Sequence, residues 1–293
     1  MSGKLKIRTA IIPAAGMGTR FLPVTKVVPK ELIPVIDKPG IQYAVEEIVS
    51  VGIQNIIIVT ALGKESIIEY FYNKETAEDY AYNRENPVQL DRLEKISSHV
   101  TINSVLQHEQ LGLGHAIACA SEQIGNEPFV VILPDDLILG ATPALRQLLD
   151  VFDIYKSSIL AVQEVDSQSI SKYGVIEPIA VNDNLFKVSN AVEKPTPEQA
   201  PSNYGIIGRY IFTPGILERL SKVHPGAIGE IQLTDAIADL TNYESVYALN
   251  IDGKRHDVGT PLGMLKASIE IGISRDDIGD DLYKYIRNVT GQY

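Results

Sequence analysis

A buried strand that breaks on a glycine turn is the tightest constraint in this chain. Ile7–Ala14 reads as a strand built on Ala10, Ile11 and Ile12, and Ala14-Ala15-Gly16-Met17-Gly18-Thr19-Arg20 follows at once. Glycines let backbone N–H groups come close to an anion, and Arg20, Lys26 and Lys30 supply positive charge just behind them. The arrangement suits a phosphate-bearing ligand such as a nucleotide. It equally describes a tight turn followed by a solvated basic face, and the loop alone does not choose between the two.

The rest of the first half repeats the same strand-then-helix rhythm. Ile41–Val51 has apolar Ile41, Ala44, Val45, Ile48 and Val49 at helical spacing, Asn55–Ala61 is a β-branched run ended by Gly63, and Lys64–Tyr72 is helical. A strand over Val100–Gln107, a helix over Leu113–Ile124, a strand over Phe129–Leu133 and a helix from Pro143 to Tyr155 with Thr142 as its cap follow, then a strand over Ser158–Val165. Strands joined through helices form a mainly parallel sheet covered on both faces, so the expected class is α/β: a Rossmann-like three-layer α/β/α fold with a mixed, mainly parallel central sheet.

The second half is expected to hold short strands at Gly174–Glu177, Phe186–Glu193, Gly205–Phe212 and Val246–Ile251, with helices at Pro214–Lys222, Gln232–Leu240 and Pro261–Ile273. It reads as an elaboration wrapped over one side of the same sheet. No linker divides the 293 residues, so one domain is expected, with a first half at 1–165, an elaboration at 166–273 and a tail at 274–293. Lys74–Ile96 is charged and reads as a helical insert.

Composition excludes several classes of function. A net charge of −11 disfavours general binding to a nucleic-acid backbone, although a small anionic ligand feels mainly the charges within about 8–10 Å of it. No apolar run approaches the roughly 20 residues that span a bilayer. The apolar stretch near the start is short and leads straight into the glycine loop, so export is not expected. With Cys119 as the one cysteine, no intrachain disulfide can form; a reducing, cytoplasmic setting is expected. Cys119 itself reads as a core residue.

Ligands of open parallel sheets collect beyond the carboxyl ends of the strands. The residues there are the Gly16/Gly18/Arg20 loop, Gln107 leading to Gly112 and Gly114, Asp135 and Asp136, Glu193-Lys194-Pro195, and His256-Asp257-Val258-Gly259. Neither common phosphate cradle is present. Phe21 stands where a dinucleotide fingerprint needs its third glycine, and no G-K-[ST] completes a P-loop.

These motifs resemble a known family. Ala14 through Lys26 followed by Pro29-Lys30-Glu31 is similar to the signature of sugar-nucleotide pyrophosphorylases. The likeness continues through Leu111-Gly112-Leu113-Gly114-His115-Ala116, Leu133-Pro134-Asp135-Asp136, Tyr173-Gly174-Val175-Ile176, Val192-Glu193-Lys194-Pro195, Gly229-Glu230-Ile231-Gln232 and Gly253-Lys254-Arg255-His256-Asp257-Val258-Gly259. It spans nearly the whole chain in the family's order and resembles most the bacterial-type UTP–glucose-1-phosphate uridylyltransferases. Lys74–Ile96 departs from the pattern, as do His256, where an aromatic is common, and Thr260, where a more polar or acidic residue often stands.

The resemblance implies the nucleotide-diphospho-sugar transferase fold. It also implies attack by a phosphate oxygen of glucose 1-phosphate on the α-phosphorus of UTP, giving UDP-glucose and pyrophosphate. By matching positions, Ala15, Gly16, Gln107 and Gly112 would receive the nucleobase and Glu31 the nucleoside. Arg20 and Lys30 would face the phosphates, and Asp135 and Asp257 would hold Mg²⁺. Gly174, Glu193 and Lys194 would meet glucose 1-phosphate, with Asn203 a weaker candidate. Read without the family, Gln107 is an ordinary strand end, Glu193 and Lys194 a buried ion pair, and each aspartate a strand terminator. Asp136 is given no metal, and Glu230 and Asp235 serve equally as helix caps. A homo-oligomer is expected from the family. A dTTP-using enzyme of the same fold and a silent nucleotide-sugar-binding regulator are the competing readings.

Overall fold

The computed structural model describes residues 7–72, 93–96, 98–223 and 229–291. Its centre is a nine-stranded sheet. The first-half strands are β1 (Thr9–Pro13), β4 (Asn55–Thr60), β5 (Thr101–Leu106), β6 (Phe129–Ile132) and β8 (Ser158–Glu164); the second half adds β9 (Gly174–Ala180), β10 (Leu185–Glu193), β11 (Tyr204–Phe212) and β12 (Val246–Asn250). Their spatial order is β5-β4-β1-β6-β11-β8-β12-β10-β9. β1 runs parallel to both β4 and β6, with Ala10 opposite Ile56 on one side and Val130 on the other. Only β10 and β11 run against the other seven strands, so the sheet is mixed: the β5-β4-β1-β6 block and the β8–β12 pair are parallel, and the remaining neighbours are antiparallel.

Alternation along the strands divides the core in two. Ile12, Ile56, Ile58 and Val130 face one side with Ile41, Ile48, Leu148 and Phe152. Their sequence neighbours Ile11, Ile57, Val59 and Val131 face the other with Ile117, Ile216, Ile237 and Leu240. A two-residue period on a strand buried on both faces produces this division. The first face is covered by α1 (Gly40–Ser50) and α5 (Ala144–Tyr155). The second is covered by α3 (Gly112–Cys119), α6 (Gly215–Leu220) and α7 (Leu233–Leu240). Helix α1 turns Ile41, Ala44, Val45 and Ile48 inward, as its spacing predicts; truncating the fully buried Ile48 to alanine costs about 2–5 kcal/mol.

Helix α2 (Ser66–Tyr72) follows β4. The helix expected over Leu113–Ile124 is two pieces, α3 and α4 (Ser121–Ile124), broken at Ala120. Two small antiparallel pairs were not expected: β2 (Pro34–Val35) with β3 (Lys38–Pro39), and β7 (Asp136–Leu139) with β13 (Lys254–Asp257). Strands of two to four residues leave too little alternation to be read from sequence.

The expectation that the second half wraps over one side of the sheet is corrected by β11. This strand lies inside the sheet, between β6 and β8 and antiparallel to both. Gly205 through Phe212 are all buried, and a strand dry on both faces belongs in a sheet interior. Beyond β13 come α8 (Pro261–Ile273), whose first turn is capped by the Thr260 hydroxyl accepting from the Gly263 N–H at 3.2 Å, and α9 (Gly279–Thr290). Of the expected insert at Lys74–Ile96, residues 74–92 lie outside the described residues and 93–96 are helical. Among the described residues no helix is long and apolar enough to cross a membrane.

Candidate active site

Four parallel strands, β5, β4, β1 and β6, lie side by side and deliver their carboxyl ends to one rim. Two adjoining cavities open there. The first, about 390 Å³, is lined by Ala15, Gly16, Lys30, Glu31, Gln107 and Gly112. The second, about 560 Å³, is lined by Arg20, Gly174, Glu193, Lys194, Arg255 and Asp257. Leu113, Leu133, Asp135 and Glu230 line both. Residues singled out for one site from six distant stretches of sequence thus stand along one continuous groove.

In the first cavity the glycine turn is held from below. Gly18 adopts φ 64°, and a Cβ there would stand 2.8 Å from Lys30 Cβ, so both the backbone angle and the close approach require glycine. Lys30 Nζ donates to Asp135 Oδ2 at 2.6 Å. Burial opposes both charges, but their mutual contact more than reverses it: Lys30 sits above its ordinary pKa and Asp135 below its own. Arg20 and Lys26 are exposed, and Arg20 reaches the second cavity.

Lys64 was not singled out from the sequence, and it holds the centre of this region. Its Nζ donates to the Ala14 carbonyl at 2.6 Å, the Gly16 carbonyl at 2.7 Å and Glu31 Oε2 at 2.8 Å. An ammonium has three N–H donors, and all three are used. Glu31 is buried, and its Oε1 has no hydrogen-bond partner among the described residues. Burial pushes the Glu31 carboxyl up despite Lys64 and Lys30, and pushes Lys64 down despite Glu31. A signal for Lys64 existed. It follows Leu62-Gly63 at the end of β4, the neighbour of β1, where ligand-facing residues of a parallel sheet gather.

Gln107 follows β5 and is buried. Its Nε2 lies 3.1 Å from the Gly112 carbonyl and 3.0 Å from His115 Nδ1. Gly112 has φ 91°, and a Cβ there would stand 2.9 Å from Glu230 Cβ, so no larger residue fits. Cys119 is half-buried on the same helix, its Sγ 3.8 Å from His115 Nε2.

The β7–β13 pair decides where the aspartates meet. Asp257 lies opposite Asp136 in its register, and the Val258 N–H donates to the Asp135 carbonyl at 2.8 Å. A Cβ on Gly259 would stand 3.0 Å from Asp257 Oδ1 and 3.1 Å from Asp135 Oδ2, so the glycine keeps open a cradle onto which two carboxylate oxygens close. Hard oxygen donors suit a divalent cation such as Mg²⁺, which keeps waters and substrate phosphates as its other ligands. Among the described residues no group of three or more His, Cys, Asp and Glu gathers for a metal. Asp136 is committed elsewhere: Oδ2 accepts from the Gly208 N–H at 2.9 Å and Oδ1 from Arg255 Nε at 2.7 Å. Buried Arg209 braces the same corner, donating to Glu47 and to the carbonyls of Leu133 and Gly208.

In the second cavity Glu193 Oε2 accepts from the Thr234 hydroxyl at 2.6 Å, and Lys194 Nζ lies 3.2 Å from Glu193 Oε1. Lys194 has φ 46°, a left-handed turn fixed by its N–H donating to the Tyr173 carbonyl at 2.9 Å. A Cβ on Gly174 would stand 2.4 Å from Thr234 Oγ1 and 3.2 Å from Glu193 Oε2. Arg255 bridges Asp136 to the Tyr173 hydroxyl, the latter at 2.7 Å; neither Arg255 nor Tyr173 was singled out from the sequence. Asn203 is exposed and lines neither cavity. Glu230 accepts from Gln232 Nε2 at 3.0 Å, and Asp235 sits in the first turn of α7.

The chain and its fold have known relatives. Residues 9–272 match the family model described as nucleotidyl transferase. UTP–glucose-1-phosphate uridylyltransferase YngB of Bacillus subtilis is 43% identical over 284 residues, covering 97% of this chain and 96% of that one. The structure of a UDP-glucose pyrophosphorylase complexed with UDP-glucose superposes with a TM-score of 0.85 at 41% identity, covering 92% of this chain and all of that one. A UTP-bound UGPase from Acinetobacter baumannii also gives 0.85, at 34% identity over 96% of this chain and 99% of that one.

Proposed function

The chain belongs to the nucleotidyl transferase family, among the UTP–glucose-1-phosphate uridylyltransferases, and from that premise we propose that it transfers a uridylyl group from UTP to α-D-glucose 1-phosphate. A phosphate oxygen of the sugar phosphate attacks the α-phosphorus, the bond to the bridging oxygen breaks, and pyrophosphate leaves. The observation that carries this reading is the meeting of two cavities at Asp135, across a cradle from Asp257 and 2.6 Å from Lys30. One cavity has the amide and glycines for a nucleoside; the other has the carboxylate and lysine for a sugar phosphate.

Transfer of this kind needs no protein nucleophile. It needs in-line placement and stabilisation of the charge that develops on the leaving phosphate. We assign the base to Ala15, Gly16, Gln107 and Gly112, and the nucleoside to Glu31 held by Lys64. Lys30 and Arg20 neutralise the phosphates, Arg20 with a planar fork and Lys30 as a point charge. Glu193, locked by Thr234, accepts sugar hydroxyls; Gly174 leaves room for the ring, and Lys194 pairs with the sugar phosphate. Asp135 and Asp257 would hold Mg²⁺, which would supply further positive charge to the phosphate oxygens.

The lone half-buried cysteine supports a reducing cytoplasm, and the net charge of −11 speaks against nucleic-acid partners. Tyr285 and Val289, exposed four residues apart on one face of α9, support contact with another copy of the chain. A matrix of UTP, dTTP, CTP, ATP and GTP against several sugar 1-phosphates, read as pyrophosphate release with and without Mg²⁺, tests the assignment. Fastest turnover is expected for UTP with glucose 1-phosphate and only with the metal. Absence of turnover for that pair overturns it.

A further inference from the structure

We propose that His115 is a positioning residue that fixes the Gln107 amide so that only its carbonyl oxygen is offered to the base, making the pocket select a pyrimidine with an N3–H. This deepens the uridylyl reading above and rests on it.

The geometry leaves the amide one arrangement. The Gly112 carbonyl, 3.1 Å away, can only accept, so the end of Gln107 that faces it is the nitrogen. The other N–H of that nitrogen points at His115 Nδ1, 3.0 Å away. Nδ1 therefore accepts, and the neutral imidazole carries its proton on Nε2, directed at Cys119 Sγ. Both amide N–H groups are spent inside the protein. What remains is Oε1, which accepts no hydrogen bond from the described residues, on a side chain that lines the first cavity.

Uracil presents a donor at N3; cytosine presents an acceptor there. An amide oxygen held still satisfies the first and repels the second, and discrimination grows when the wrong partner leaves buried polar groups unpaired. The two neighbours act differently. Gly112 decides which atom is nitrogen. His115 takes the second N–H and fixes the amide plane. Without that acceptor the amide is free to swing and offer an N–H to the ligand, and the bias against cytosine fades.

The experiment compares wild type, His115→Leu and His115→Asn in kcat/KM for UTP and for CTP, with KM for glucose 1-phosphate measured alongside. His115→Leu is expected to lower the UTP-to-CTP ratio at least tenfold, with KM for glucose 1-phosphate within about twofold of wild type. His115→Asn, whose Oδ1 can accept near the Nδ1 position, is expected to restore most of the ratio. An unchanged ratio in His115→Leu, or an equal fall for both nucleotides, overturns the proposal while leaving the uridylyl reading intact; wild type inactive with UTP overturns that reading instead. Nitrogen-15 chemical shifts of His115 in the unaltered protein give a test that needs no variant: Nε2–H with an accepting Nδ1 is expected, and a proton on Nδ1 in the nucleotide-free protein defeats the idea.

Discussion

The two cavities hold their charges in opposite ways. Around the first, Lys30 is held by Asp135, Lys64 by Glu31 and two loop carbonyls, and Gln107 by His115 and Gly112. Around the second, Arg255 is tied to Asp136, but Lys194 is half exposed with its carboxylate neighbour at 3.2 Å, and Arg20 is exposed. The first is preorganised by short-range connections at the ends of adjacent parallel strands. The second is assembled from β9, β10 and α7, and it keeps a loosely held cation for a phosphate that arrives with the substrate. Preorganised charge lowers the reorganisation needed at reaction, whereas a half-exposed lysine with one long carboxylate contact has donors left for a ligand.

Variants can break or sharpen this contrast. Asp135 belongs to both cavities, so Asp135→Asn is expected to give the largest effect, a fall in kcat of about 1,000-fold, with little change in the urea midpoint; activity equal to wild type would remove the carboxylate from the site. Lys30→Ala is expected to lower kcat/KM for UTP about 100-fold, and an unchanged value would leave the phosphates without their assigned cation. Lys64→Met strikes only the preorganised side. It is expected to raise KM for UTP about tenfold and to lower stability by about 3 kcal/mol, because Glu31 is left buried and unpaired. Adding Glu31→Gln should recover the stability but not the KM; recovery of both would make the pair structural. Thr234→Val strikes only the open side. Since it removes the hydroxyl that fixes Glu193, KM for glucose 1-phosphate should rise about fivefold with KM for UTP unchanged; a rise in both would join the two cavities into one functional unit.

Much of this was legible before any coordinates. Ile11/Ile12 and Ile56–Val59 announce strands buried on both faces, and the period of Ile41, Ala44, Val45 and Ile48 announces the helix that covers them. The glycine positions were equally clear, since a left-handed turn at Gly18 leaves a local mark. Lys64 was hidden because a lysine after a strand looks the same whether its ammonium meets water or three oxygens. Asp136 and Asp135 adjoin in sequence, but only the tertiary structure shows that one is consumed by Arg255 and Gly208 while the other, held by Lys30, faces the cradle. Likewise the buried apolar run of β11 marks an interior strand, yet nothing local says that it inserts between β6 and β8.

The sequence alone determined the α/β class, the glycine turn and the identity of most groups that line the groove, because periodicity and backbone permission are properties of a few neighbouring residues. Tertiary structure decided which side chains are already spoken for: Lys64 on Glu31, His115 on Gln107, Asp136 on Arg255. A side chain's chemistry is written in the chain, but its free lone pairs and protons depend on what distant strands bring within 3 Å.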